Sequence, residues 1–132
     1  MINHKLLLLI VDDSALILQK TEELLQDCEV IEKIITTQNF DDAIGILDEV
    51  KPDVALLDIN LADKSGIEIL SHIKQKKYNT KVIMFTNEVS DNHKQLCFKI
   101  GADYFIDKSK DFDSLLPIFS TIAGSLLKET IF

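Results

Sequence analysis

The feature that most constrains this chain is a series of short runs in which apolar residues follow one another almost without polar interruption. Four runs are clear: 6–11, 54–57, 82–85 and 104–106. A strand with one solvent-facing side alternates apolar and polar residues, whereas a strand covered on both faces does not. We therefore expect these runs to be buried strands of a parallel sheet. A fifth candidate, 31–36, belongs nearer an edge because Glu32 and Lys33 interrupt it.

Segments with helical spacing separate these runs. The clearest extends from Phe40 to Leu47, with apolar residues at helical intervals behind a candidate N-cap at Asn39. The other predicted helices are 14–28, 65–76 or 66–76, 90–100 and 115–127. Gly101 should end the helix before it in a left-handed conformation, and Pro117 should delay or bend the last helix. Because parallel strands need crossover helices, this alternation predicts an α/β fold with three layers, an αβα sandwich.

Length and charge narrow the function classes. The chain has 132 residues, the length of one domain, and a formal net charge of −8. This negative charge would repel a nucleic acid or an anionic membrane surface, so neither is expected as the main partner. It favours the binding of a divalent cation. The run 6–11 leads into two aspartates instead of a cleavage site, and Cys28 and Cys97 are isolated thiols suited to packing in a reducing compartment. We expect a single domain, 1–132, in the cytoplasm.

Polar residues stand where the predicted strands should end. Asp12 and Asp13 follow the first strand, and Asp58 follows the third. Thr86 comes at the end of the fourth strand, and Lys108 comes after the fifth. In an open parallel sheet the carboxyl ends of the strands share one edge, which is where ligands bind. These side chains should therefore converge.

This set of side chains suits phosphoryl transfer. Three carboxylates in one cleft repel one another unless a proton or a cation intervenes. Mg²⁺ prefers hard oxygen ligands and is often shared with a phosphate. Asp58 can supply a nucleophilic oxygen, Lys108 and the metal positive charge, and Thr86 a hydroxyl donor. Each residue alone could have a structural role as a helix cap, a strand end or a loop lysine, but together they favour a phosphoacceptor site.

The pattern resembles the receiver domain of two-component response regulators over nearly the whole chain. The matching residues are an acidic pair, a strand-end acid, a glycine eight positions beyond it, a threonine and a lysine: Asp12, Asp13, Asp58, Gly66, Thr86 and Lys108. The resemblance implies a flavodoxin-like sheet of five parallel strands in the order 2-1-3-4-5. It also implies a signalling switch without enzymatic activity beyond its own phosphorylation and dephosphorylation.

The same resemblance implies specific partners and ligands. Asp58 would receive a phosphoryl group from a sensor histidine kinase or a histidine phosphotransfer protein. The implied Mg²⁺ ligands are three carboxylates and one backbone carbonyl: Asp12, Asp13, Asp58 and Asn60. The downstream partner would be a protein, not identified by the sequence, or a second copy of the chain in a homodimer linked to phosphorylation.

Other residues would read and erase the signal. The resemblance implies that Thr86 and Lys108 stabilise the phosphoryl group. Phe105, three residues before Lys108, would move inward when the Thr86 hydroxyl moves towards the phosphate. The docking surface would comprise the helix 90–100, the strand around Phe105 and the last helix. Three residues would tune dephosphorylation: Asn60, Asn87 and Glu88.

Some positions depart from the family pattern, and one alternative function stays open. Ala62 and Ser109 stand where many members have proline, and Asn87 replaces a small residue and could crowd the site. A hydrolase of the haloacid dehalogenase class would need a second acidic residue, as general acid and base, at the position that Asn60 occupies. A nucleotide-binding enzyme would need a glycine-rich phosphate loop, which the sequence lacks. The remaining alternative is a pseudo-receiver, an interaction module that works without phosphorylation.

Overall fold

A computed structural model describes the backbone of residues 5–131 and the side chains as far as Leu126. Strands and helices alternate along this part of the chain: β1 (Leu6–Val11), α1 (Ala15–Leu25), β2 (Ile31–Thr37), α2 (Phe40–Val50), β3 (Val54–Leu57), α3 (Gly66–Gln75), β4 (Lys81–Thr86), α4 (Asp91–Ile100), β5 (Tyr104–Asp107) and α5 (Leu115–Ile131). A short 3₁₀ helix, Phe112–Ser114, precedes α5.

The five strands form one parallel sheet in the order β2-β1-β3-β4-β5. This confirms the predicted fold and strand order. The edge position predicted for β2 is also confirmed, with Glu32 and Lys33 exposed on that strand. Every residue of β3, in contrast, is buried, as its unbroken apolar run predicts. The carboxyl ends of β1, β3 and β4 therefore meet at one edge of the sheet.

Polar side chains begin four of the helices. Asn39 caps α2 as predicted, and Ser14, Ser65 and Ser90 cap α1, α3 and α4 by accepting a backbone N–H. The helix predicted over 14–28 is shorter than expected, because the chain turns after Leu25. These caps fix where each loop leaves the sheet edge and enters its helix.

Gly101 and Pro117 mark two helix ends. Gly101 ends α4 as predicted and has the positive φ that favours glycine, with φ at 132° and ψ at 20°. The N–H groups of Gly101 and Ala102 both bond the Cys97 carbonyl, which turns the chain sharply towards β5. Pro117 lies in the first turn of α5, where its missing N–H costs no helical hydrogen bond.

The sheet separates two apolar clusters. Leu8 packs with α1 and α5, and Leu9, the next residue, packs with α2, α3 and α4. Cys97 is buried in the second cluster and Cys28 packs against the first, which confirms both as packing residues. Among the described residues, no helix combines the length and the apolar character that crossing a bilayer requires.

Candidate functional site

Most of the predicted site residues meet in a cleft at the carboxyl edge of the sheet. Six of them line a cavity of about 310 Å³: Asp12, Asp13, Asp58, Asn60, Asn87 and Lys108. Two backbone hydrogen bonds extend the strand pairing into the site. The Asp58 N–H donates to the Val11 carbonyl, and the Lys108 N–H donates to the Thr86 carbonyl, each at 3.0 Å. The sheet itself therefore places the acids and the lysine.

Lys108 bridges two acids at the centre of the cleft. Its Nζ donates to Asp12 Oδ2 at 2.7 Å and to Asp58 Oδ2 at 3.1 Å. Only 8% of Lys108, 2% of Asp12 and 6% of Asp58 is exposed. Burial disfavours the charged lysine, but the hydrogen bond to Asp12 and the charge of Asp58 outweigh burial and raise the pKa of Lys108. The ammonium therefore stays charged between the two carboxylates.

The acidic residues carry more charge than this lysine neutralises. Burial raises the pKa of Asp12, although Lys108 and the Ser14 N–H, 2.9 Å from Asp12 Oδ1, donate to its carboxylate. Carboxylate oxygens of Asp12, Asp13 and Asp58 lie within 4.8 Å of one another. With all three ionised, one ammonium leaves two negative charges uncompensated. A hard divalent cation with oxygen ligands fits this set of donors in charge and in chemistry.

The loop after β3 lies directly against the backbone of Asp58. Asn60 pairs with Ser65 across the loop, and the Gly66 N–H donates to the Ile59 carbonyl at 2.8 Å. A Cβ on Gly66 would collide with the Asp58 carbonyl oxygen and lie 2.8 Å from the carbonyl carbon. Glycine is therefore required here for the close approach of α3.

Hydrogen bonds connect the loops after β3 and β4 beside the cleft. Thr86 is fully buried, and its Oγ1 accepts the Glu88 N–H at 3.1 Å. Glu88 Oε1 accepts from Asn60 Nδ2 at 3.0 Å. The sequence placed Asn60 and Glu88 near Asp58 by resemblance, but it did not predict that the two side chains bond each other. They link the loop of the acid to the loop of the threonine.

Phe105 lies outside the cleft. It is half-buried on the α4 side of the sheet, where its ring centroid is 6.4 Å from that of Phe98, whereas Tyr104 packs on the opposite face. The two neighbouring side chains therefore point to opposite faces of the sheet, as the alternation of side chains along a strand requires. Phe105 pairs with Met84 in β4, two residues before Thr86. A movement of the end of β4 could therefore reach it through the sheet.

A turn next to Lys108 was not predicted from the sequence. Asp107 Oδ1 accepts the Ser109 N–H at 2.9 Å and the Ser109 hydroxyl at 2.7 Å. No peptide bond in the described chain is cis, so Ser109 follows Lys108 through an ordinary trans bond. An aspartate that bonds the backbone two residues on is a known turn signal, and it could have drawn attention to Asp107.

Comparisons with known proteins agree with this arrangement. A family model described as the response regulator receiver domain matches residues 8–119. The protein-glutamate methylesterase/protein-glutamine glutaminase of Clostridium acetobutylicum is 34% identical over 107 residues, which cover 80% of this chain and 31% of that protein. The matched region covers less than a third of that protein, and less than a third of a related methylesterase/glutaminase from Koribacter versatilis.

Two solved structures show the same likeness. The CheY-like response regulator receiver domain protein from Methanospirillum hungatei JF-1 superposes with a TM-score of 0.84 and 27% identity, covering 96% of this chain and 98% of that one. The BeF3-activated receiver domain of DrrB, a Thermotoga maritima protein, gives a TM-score of 0.78 and 30% identity, covering 89% of this chain and 97% of that one.

Proposed function

Because the chain belongs to the family of response regulator receiver domains, we propose that it is a phosphoacceptor switch of a two-component system. A sensor histidine kinase or a histidine phosphotransfer protein would donate a phosphoryl group to Asp58. The observation that carries this proposal is the ammonium of Lys108, held within hydrogen-bond distance of both Asp12 and Asp58. We propose no enzymatic activity beyond the protein's own phosphorylation and dephosphorylation, and a cytoplasmic location alongside its kinase.

The proposed reaction is a displacement at phosphorus. An oxygen of the Asp58 carboxylate attacks the phosphorus of the donor phosphohistidine and forms the new P–O bond. The P–N bond breaks, and its electron pair returns to the imidazole ring. Lys108 needs only a small movement from the Asp58 carboxylate to a phosphoryl oxygen, because its Nζ already lies 3.1 Å from Asp58 Oδ2. Positive charge placed in advance is the main contribution a protein makes to such a transfer.

Mg²⁺ is the proposed cofactor. We expect Asp13, Asp58 and the backbone carbonyl of Asn60 to hold it directly, with Asp12 acting largely through a coordinated water. When bound, the metal supplies positive charge to the oxygens of the transferred group. The proposal is supported by the hard oxygen donors of the acidic cluster and by the negative charge that Lys108 leaves uncompensated.

The phosphoryl group would be read through Thr86 and Phe105. The Thr86 hydroxyl oxygen accepts the Glu88 N–H, and this bond does not use the hydroxyl hydrogen, which can donate to a phosphoryl oxygen once the side chain turns towards it. We propose that its movement vacates space which Phe105 fills. Phenylalanine has no hydroxyl to bond a backbone carbonyl, so its two positions differ mainly in apolar burial, and the equilibrium between them should be shallow. The docking surface for a target protein or a second copy would comprise α4, β5 and α5.

The lifetime of the signal would depend on the residues beside the cleft. We propose that Asn60, Asn87 and Glu88 govern how water reaches the phosphorylated Asp58. Asn60 and Glu88 bond each other, and Asn87 is exposed on the cavity wall. We expect self-dephosphorylation within minutes or less, and a phosphorylated form that persists for many hours would contradict this.

Phosphate uptake tests the proposed function. The protein should gain the mass of one phosphoryl group when it is incubated with a small phosphodonor and Mg²⁺, and it should gain none when the metal is chelated. A folded protein that takes up no phosphoryl group from any small donor would instead favour a pseudo-receiver.

A further inference from the structure

The turn after β5 fixes the backbone on both sides of Lys108. On one side the Lys108 N–H donates to the Thr86 carbonyl at 3.0 Å. On the other side the Asp107 carboxylate accepts two donors from Ser109, its N–H and its hydroxyl, through the single oxygen Oδ1. The Asp107 carbonyl also accepts the N–H of Lys110 at 3.2 Å and of Asp111 at 2.8 Å. Asp107 therefore accepts four hydrogen bonds from the three residues that follow Lys108.

We propose that Asp107 is a positioning residue for the phosphorylation site, whose carboxylate holds the turn so that the ammonium of Lys108 reaches Asp12 and Asp58. This inference rests on the proposed role of Asp58 as phosphoacceptor.

A lysine needs such support because its side chain is long and flexible. Holding the ammonium between two carboxylates costs side-chain entropy, and the cost rises if the backbone that carries the lysine is also free to move. Lys108 is the first residue after β5, so the sheet restrains only its N-terminal side. The bonds from Ser109 to Asp107 restrain the other side. The hydrogen bonds from Ser109 also lower the pKa of Asp107, so this acceptor stays ionised at neutral pH.

Asp107 acts through Lys108 and not on the reacting atoms. Among the described residues, the Asp107 carboxylate accepts hydrogen bonds only from the turn, and Asp107 is not one of the residues that line the cleft. Successive residues at a strand end project to opposite sides, which separates the Asp107 carboxylate from the ammonium of Lys108. Loss of the carboxylate should therefore leave the acids in place and loosen only the lysine.

The test compares Asp107→Ala with a matched control, Asp103→Ala. Asp103 also accepts a backbone N–H, from Val82 at 2.8 Å, but it precedes β5 at the opposite end of the sheet. Two measurements are made on each protein. The first is the NMR signal of the Lys108 ammonium without metal or phosphodonor. The second is the rate of labelling by a small phosphodonor with Mg²⁺, and thermal unfolding serves to compare stability.

We expect Asp107→Ala to lose the protected Lys108 ammonium signal and to be labelled about tenfold more slowly, since displacing a catalytic group by a fraction of an ångström is costly. Asp107→Asn, which keeps an acceptor oxygen, should recover much of both. Asp103→Ala should match the parent in both measurements even if it is less stable. If Asp107→Ala does not fold, Ser109→Ala, which removes only the hydroxyl contact, should show a smaller loss in the same direction.

Unchanged signal and rate in the folded Asp107 variants, or equal losses in Asp103→Ala, would overturn the inference. A parent protein that takes up no phosphoryl group would refute the proposed function. The ammonium signal would still decide whether Asp107 positions Lys108, so the two failures can be distinguished.

Discussion

Replacing Gly66 with alanine should damage both the stability of the protein and its phosphorylation site. The new Cβ would collide with the Asp58 carbonyl oxygen and lie 2.8 Å from its carbonyl carbon, so the backbone of Asp58 or the start of α3 has to move by an ångström or so. The hydrogen bond from the Gly66 N–H to the Ile59 carbonyl would be strained or lost. Overpacking and this lost bond together should lower the free energy of unfolding by about 2–4 kcal/mol.

Two other glycines provide controls. A Cβ on Gly45 or Gly124 would meet nothing within 4 Å, and both residues lie in helices. Gly45→Ala and Gly124→Ala should therefore raise the free energy of unfolding by about 0.5–1 kcal/mol. Urea unfolding measures all three variants, and labelling by a small phosphodonor measures the site. If Gly66→Ala were as stable as Gly45→Ala and were labelled at the parent rate, the claim that α3 approaches the Asp58 backbone too closely for a Cβ would be refuted.

Three further predictions concern the metal, the switch and pH. Asp13→Ala should weaken Mg²⁺ binding in calorimetry, and binding by the parent should fade as its carboxylates protonate in acid; undiminished binding by the variant would place the metal elsewhere. The phosphate mimic beryllofluoride should raise the affinity for a partner protein or a second copy of the chain, and Thr86→Ala and Phe105→Ala should each reduce this gain in affinity. An equal gain in the parent and both variants would refute the proposed coupling through Thr86 and Phe105. The hydrogen bond from the Tyr78 hydroxyl lowers the pKa of Asp48 below its ordinary value of 3.8. The stability that this bond contributes is therefore present above pH 3.8, and it is lost as the pH falls and Asp48 becomes protonated. Tyr78→Phe should therefore be less stable than the parent at neutral pH, with a difference that shrinks in acid; a constant difference in urea unfolding would refute this.

The fold could be predicted because its strands are buried on both faces. A short, unbroken apolar run such as 54–57, with a helix before it and a helix after it, is best explained as a buried strand of a parallel sheet. The convergence of Asp12, Asp58 and Lys108 followed from the same rule, since each directly follows a strand of one parallel sheet. The exact ends of α1 and the backbone angles of Gly101 were less predictable, because local turn hydrogen bonds decide them.

The contacts between loops could not be predicted from sequence. The bond from Asn60 to Glu88 joins loops whose relative placement depends on the packing of β3 against β4. The role of Asp107 is equally local, because only the folded turn brings the Ser109 N–H and hydroxyl to one carboxylate oxygen. Gly66 was identified by resemblance, but the reason for a glycine became clear only when α3 was seen against the backbone of Asp58.

The position of the phosphoryl group tests the central claim most directly. The protein is incubated with a small phosphodonor and Mg²⁺, the acyl phosphate is trapped by borohydride reduction, and the modified residue is located by peptide mass spectrometry. We predict modification at Asp58 alone, and none in a folded Asp58→Asn variant. Modification of Asp12 or Asp13 in the parent, or undiminished labelling of Asp58→Asn, would contradict the assignment of Asp58 as the phosphoacceptor.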